Sequence, residues 1–427
     1  MALTVMAAAR AQIPDGYYDT VNASYPADLR SSLHVIIDDH TRFPYTSAET
    51  DTWDILEMAD QDMQDESRIV TVYRNSSFAK VGGGNNLYNR EHTWPRSYGF
   101  PDNDDLLNYP FTDMHHLFLA HADYNFFRSN KPFEDCDASC VEYITDTNNG
   151  RGGAGGAYPG DSNWTIGEFT SGKWEVWQHR KGDIARAMMY MDLRYEGGTH
   201  GVTSASEPDL ILTDDRNLID GARTGSNESI AYMGILSTLL QWHLQDPVDA
   251  TEIQHHEMVA AAQGNRNPFI DNPDWAACVF EGICFVINAG LNDAWVSTGA
   301  AFQGMFITVF PDLKIIFLAW FTFDSSLPGG DVSAQFGAVD QRWVTAVGSY
   351  SGAKAVLKAE LTSGGKFNAS EPLPTQQQDY GSIVLEFADC TEATVSYEFP
   401  GPGLSGSMTI NRVVDSNVAL CQLLNAE

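Results

Sequence analysis

Apolar side chains recur at helical spacing over the first part of the chain and at strand spacing over the last. Leu29, Leu33, Ile36 and Ile37 fall on one helical face, and Trp53, Leu56 and Met58 follow the same habit, so residues 12 to about 75 are expected to be helical. The pattern over 184–195 predicts a strong helix with Ala185, Met188, Met189 and Leu193 on a buried face. Methionines at that spacing read as core filling. Further helices are expected over 229–242 and 250–262. After residue 285 the texture changes. The runs 306–310, 315–323, 342–347, 382–387, 393–399 and 408–413 are short, β-branched or aromatic, and separated by Gly, Pro, Asp and Ser, which predicts an all-β sandwich or barrel. The expectation is an α+β, helix-rich domain over 12–285 and an all-β domain over 286–427. Gly82-Gly83-Gly84 and the Gly/Ala stretch 150–160 read as loops.

The composition, 43% hydrophobic and 19% charged over 427 residues, suits a chain with a real core. No apolar run reaches the ~18 residues of a membrane span. Residues 1–11 read as the remnant of a secretory signal without its basic start. Ala9-Arg10-Ala11 fits a cleavage site that leaves Gln12 first, so the protein is expected outside the cell or in the periplasm. Six cysteines agree with export. They fall as Cys136/Cys140, Cys278/Cys284 and Cys390/Cys421, and three disulfides between sequence neighbours are expected, although six cysteines allow 15 arrangements. Cys136-x-x-x-Cys140 has no second half at zinc spacing, which favours a disulfide over a metal half-site.

The net charge is −32. A partner of polyanions usually carries a basic patch, and here even 85–200 is net acidic. Either the substrate is not a nucleic acid, or acidity is a solubility device suited to salty water, with a few arginines focused on one cleft.

The chemistry concentrates in Asn89-Arg90-Glu91-His92-Thr93-Trp94-Pro95-Arg96, in Asp113-Met114-His115-His116-Leu117, and in Asn125-Phe126-Phe127-Arg128-Ser129-Asn130. Phosphodiester hydrolysis needs a deprotonated water, a Lewis acid and cations for the phosphates. His supplies a base near neutral pH. A carboxylate beside a carboxamide suits a hard ion such as Mg²⁺, with Ca²⁺ or Mn²⁺ as alternatives. Arginines grip phosphate.

Residue by residue this resembles the endonuclease I family, whose site is a ββα-metal (His-Me) finger. Lys181-Gly182-Asp183-Ile184-Ala185-Arg186-Ala187 with Tyr190-Met191 and Arg194-Tyr195 resembles its second block. Asp246-Pro247-Val248-Asp249 and 263–271 resemble its third. The resemblance covers roughly 12–280. It implies His92 as general base, Glu91 and Asn125 as metal ligands, and a non-specific endonuclease acting on DNA and RNA that leaves 5′-phosphates. Arg128 is the first candidate for a phosphate contact, with Arg90 and Arg96 behind it. Rival readings are a phosphodiesterase for smaller esters and an inert extracellular binding protein.

Neighbours on a regular strand point to opposite faces, so Glu91 and His92 can share a centre only if the strand ends or bulges there. His115 and His116 read as structural, with Asp113 as a partner. His121 reads as a helix residue. His255-His256 stands where the family usually has Arg-Asn. Adjacent residues rarely converge on one ion, so these read as surface histidines. The region from 286 resembles β-rich tail domains of secreted bacterial proteins, which imply no activity.

Overall fold

The helix Lys181–Arg194 is buried on every side: each residue after Lys181 is inside. The helices Pro26–Ile37 and Leu236–Gln245 and the strand Asp209–Leu212 pack on it. The single apolar face expected of it understates this burial. Its charged residues are inside as well, and they survive there because each has a partner. Arg186 holds Glu252 through two contacts of 2.6 Å. Arg194 holds Glu207 at 2.9 and 3.1 Å, and Asp192 accepts from Arg30.

The computed structural model describes residues 12–425 except Ser24, Ala154, Thr298, Pro328 and 331–340. The signal-like segment 1–11, with its cleavage site, lies outside them. The chain divides into two compact units at Val279/Phe280.

In the first unit, helix Thr52–Ala59 starts at a capping box. The Asp51 carboxylate accepts from Trp53 N and Asp54 N, and Asp54 accepts from Asp51 N. The helical expectation for 12–75 holds only over Pro26–Ile37 and Thr52–Ala59. Gln61–Asp62, Asp65–Val70 and Ser77–Ala79 form a three-stranded sheet, because Asp62 Oδ1 accepts from Gln64 N at 3.0 Å and turns the chain back. Helix Ala250–Gln263 packs against Thr52–Ala59, which corrects the reading of His255 and His256. Both are buried. His255 meets Asp60 at 2.7 Å and the Met114 carbonyl at 3.1 Å, and His256 meets Asp271 at 3.0 Å.

The second unit holds an eight-stranded closed barrel whose strands follow sequence order. It resolves the sandwich-or-barrel alternative. Strands Gly304–Phe310, Ile315–Phe323, Gln341–Ser351, Lys354–Ser363, Thr375–Phe387, Glu392–Phe399 and Leu404–Arg412 pair as antiparallel neighbours. Asp293–Val296 pairs with the first and last of these and closes the ring. The interior is filled by alternate residues such as Met305, Ile307, Val309, Ile316, Leu318, Leu357, Ile383, Leu385 and Val395, the period-2 pattern of a one-sided strand. Cys390–Cys421 is a disulfide, as is Cys136–Cys140 in the first unit. Cys278 and Cys284 are also disulfide-bonded. No helix among the described residues is long and apolar enough to cross a membrane.

Candidate active site

Strand Tyr88–His92 pairs antiparallel with Leu117–His121. The second strand is buried along its whole length. It runs directly into helix Ala122–Arg128, which packs on both strands. His121 sits at this junction rather than within the helix. Its Nδ1 accepts from Asp123 N at 3.2 Å and so caps the first turn. The helix stops at Ser129, whose φ of 54° ends the helical path. Beside these elements lies a cleft of about 660 Å³.

The cleft is lined by Glu91, His92, Asn125, Arg90, Arg96 and Arg128 together. The structure therefore brings every non-cysteine candidate to one place. Pairing stays in register to His92↔Leu117, where the strand ends without a bulge. The two neighbours leave it toward different partners. Glu91 Oε1 accepts from Tyr73 Oη at 2.7 Å and faces Arg128 at 3.1 Å. The His92 ring stacks on Phe111 and Tyr45, with centroids 5.0 and 5.7 Å away.

Each of the three key side chains is tethered by one atom and leaves another untethered. His92 Nε2 donates to the Phe111 carbonyl at 2.9 Å, which makes Nδ1 the acceptor nitrogen. Asn125 Nδ2 donates to Asn89 Oδ1 at 2.8 Å and the Arg90 carbonyl at 3.1 Å, which turns its Oδ1 away from both. Glu91 uses Oε1 and leaves Oε2. Among the described residues no hydrogen bond engages His92 Nδ1, Asn125 Oδ1 or Glu91 Oε2. Burial and nearby His116 push the His92 pKa well below its usual value, so the ring is neutral at neutral pH. Burial pushes Glu91 up to about 7, against the opposing pull of Arg128 and Tyr73. A cation beside it favours the ionised form.

The arginines divide sharply. Arg128 is buried and donates to the carbonyls of His92, Thr93 and Ser129. Its guanidinium lies 4.4 Å from the Phe133 ring. Arg90 is sandwiched between Tyr45 and Trp53 and bonds the Tyr45 carbonyl, Thr52 and Thr46. The terminal nitrogens of both are engaged inside the protein, and the Nε of each is buried without a partner, so this geometry gives a phosphate contact by either no support. Arg96 is half-exposed and paired with Asp102 at 2.6 Å.

His115 and His116 are buried and structural, but their ring partners are the Asn265 and Pro110 carbonyls. Asp113 is a partner of this segment, since its Oδ1 accepts from His115 N at 3.1 Å, and its carboxylate also accepts from Tyr190, Tyr195 and Gln263. Sequence reasoning missed Tyr73, which nothing in the local pattern marks, and Asn89, which stood inside the motif. Among the described residues there is no cluster of three or more His, Cys, Asp or Glu able to hold an ion. The donor set here is one carboxylate and one carboxamide. That is compatible with a hard ion that keeps most of its waters, as Mg²⁺ does.

The family model described as Endonuclease I matches residues 26–274. An extracellular ribonuclease of Bacillus amyloliquefaciens is 36% identical over 263 residues, covering 61% of this chain and 76% of that protein. One of Bacillus subtilis (strain 168) is 36% identical over 265 residues, covering 61% and 77%.

Proposed function

This chain belongs to the endonuclease I family, and we propose that it is a secreted, metal-dependent endonuclease that cleaves DNA and RNA with little sequence preference and leaves 5′-phosphates. Family membership makes it a nuclease, a hydrolase of nucleic acids. The observation that carries the finer reading is the tethering just described. One nitrogen and two hard oxygens, each fixed by its own second atom, line one cleft beside a strand–strand–helix unit, which supports a His-Me finger reading.

His92 Nδ1 takes the proton of the attacking water. The Nε2–H bond to Phe111 fixes the tautomer and supports the imidazolium that forms. Glu91 and Asn125 would hold the ion, which supplies Lewis-acid stabilisation of the charge on the phosphoryl and leaving oxygens. Arg128 positions Glu91 and the carbonyls at the strand end. Arg96 is the cation placed to swing from Asp102 to a phosphate. Contacts to phosphate rather than to base edges fit low sequence preference. Every described residue lining the cleft lies between Tyr45 and Phe169. Bonded cysteines and extracellular relatives support secretion.

The test is plasmid nicking with Mg²⁺ and with chelator. His92→Ala is expected to lower kcat by about 10²–10⁴-fold while leaving the Mg²⁺ requirement unchanged. Glu91→Ala and Asn125→Ala raise the Mg²⁺ needed for half-maximal rate, Glu91→Ala more because it removes charge. Full activity in chelator, or near-normal turnover by His92→Ala, would overturn the reading.

A further inference from the structure

The cleft is short of available cations. Arg128 and Arg90 are committed as described. Lys131 is buried and donates to the Phe127 carbonyl at 2.6 Å, and Arg96 starts out paired to Asp102. The unit that contains the cleft carries 42 acidic and 19 basic residues up to residue 279. Coulomb attraction is a poor source of affinity for a polyanion here.

The same cleft has an unusual wealth of exposed aromatic surface. Phe126 is 76% exposed, Phe127 42% and Phe169 44%, and all three line it. They come from two separate segments. Phe126 and Phe127 stand on the helix that carries Asn125 and Arg128, with their rings 5.5 Å apart and edge to face. Phe127 is backed by Tyr143 at 5.0 Å, which leaves Phe126 as the more open ring. Phe169 opens the short 3₁₀ helix Phe169–Ser171 with φ of +46°, a left-handed conformation that is costly for a bulky residue. Its ring carries the Arg223 guanidinium 4.4 Å from its centre, which holds it in place. Water-exposed phenyl rings beside a polar catalytic cleft, one of them kept in a strained backbone, call for an apolar, flat partner.

We propose that Phe126 and Phe169 are stacking platforms for unpaired nucleobases, so that the preferred substrate is a single strand. The inference rests on the nuclease reading above and deepens it. Bases in a duplex are already stacked on each other and offer no free face. A single strand can splay its bases onto aromatic rings, and every base has such a face, so sequence preference stays low. Stacking also does not depend on the cations that this cleft lacks.

The test uses the full chain and short oligonucleotides of one sequence as single-stranded RNA, single-stranded DNA and DNA duplex. The ratio of kcat/KM for single strand over duplex should fall about 5- to 100-fold in Phe126→Ala and in Phe169→Ala. Phe126→Trp, which keeps a ring, should retain it. Leu106→Ala, exposed but outside the cleft, is the control for surface truncation. Binding of the labelled single strand in chelator gives a readout independent of turnover, and Kd should rise by a similar factor. Equal losses on single strand and duplex, or an unchanged ratio and Kd, overturn the stacking role while the nuclease reading stands. Weakened strand binding by Phe126→Ala in a protein that cleaves nothing would keep the stacking role and overturn the nuclease reading. A larger effect on RNA or on DNA identifies which strand the platforms favour.

Discussion

The two units fill their interiors with opposite chemistry. In the first, Arg128, Arg186, Arg194, Asp113, Asp183 and Glu252 are buried among aromatic and aliphatic side chains. All eleven histidines of the chain belong to the first unit, and nine of them are buried. In the barrel, the buried polar residues among those described after 285 are Asn288, Ser351 and Arg412. Arg412 is satisfied by Asp293 at 2.8 Å and by the Gly290 and Cys390 carbonyls. An apolar lattice of alternating residues gives a barrel its stability. A site that must hold three side chains by one atom each needs directional contacts, and those come from buried polar groups. The difference teaches that the first unit's interior is built for geometry as much as for cohesion.

The sharpest way to break this comparison is to remove one charge from the first unit's interior. Arg186→Met leaves Glu252 buried without its two guanidinium bonds. We expect a loss of about 3–5 kcal/mol, confined to the first unit's transition in calorimetry. Adding Glu252→Met should recover most of it, because the pair costs desolvation that two apolar side chains avoid. A single variant that loses under about 1 kcal/mol would mean that this ion pair is incidental.

The barrel answers to volume instead. Leu318 is fully buried at its centre. Leu318→Ala should cost about 2–5 kcal/mol through lost transfer energy and the cavity left behind, with nuclease activity at ambient temperature unchanged. A fall in activity without a fall in the barrel's melting temperature would contradict a purely structural role for that core.

The same contrast explains what could be read from the sequence. Strands 306–310, 315–323 and 393–399 were legible because one face of each is apolar and burial follows a period of two. Asp293–Val296 and Lys354–Ser363 were not anticipated: one is short, and Ala355 and Ala359 carry too little apolar signal. In the first unit, local pattern misled wherever tertiary partners decide. His255 and His256 looked like surface residues because the partners that make their burial tolerable, Asp60 at a separation of 195 residues and Asp271 at 15, meet them only in the folded chain. The site motif was legible as residue types, since Arg90-Glu91-His92 and Asn125 are short-range patterns. The inward turn of Arg128 and Arg90 was not, because it depends on carbonyls and rings supplied by several other elements.

A smaller effect separates the units by pH. His243 is buried, donates Nε2 to the Pro273 carbonyl at 3.0 Å and lies near Arg186. Burial, and then Arg186, push its pKa down to about 3. Its folded pKa is below the unfolded value near 6.5, so the unfolded chain binds the proton first. Stability from its neutral form is complete above pH 6.5 and declines as pH falls toward 3. Gln at this position can keep the carbonyl contact and cannot titrate. The stability of wild type relative to His243→Gln should therefore drop by about 1.4 kcal/mol per pH unit below 6.5. A difference that stays flat from pH 7 to about pH 5 would show that His243 is not held neutral.

The smallest expected effect concerns salt, and it follows from where the first unit keeps its cations. A nuclease that grips phosphates with free Lys and Arg loses affinity steeply as salt rises. Here Arg30, Arg128, Arg186, Arg194 and Arg266 are occupied by internal partners, so few cations are free to release counterions. What remains at long range is repulsion between a chain of net charge −32 and a polyanion. That repulsion acts over tens of ångströms, and screening shortens its reach from about 30 Å at 0.01 M to about 3 Å at 1 M. Short contacts in the cleft, which are partly desolvated, outlast it, and so does ring stacking. Initial rates at fixed Mg²⁺ are expected to rise with NaCl to an optimum at roughly several tenths molar. Single-stranded substrate should hold its rate further beyond the optimum than duplex, because stacking is insensitive to screening. A monotonic fall from the lowest salt upward would mean that local cations such as Arg96 govern binding and that the acidity of the first unit is a matter of solubility alone.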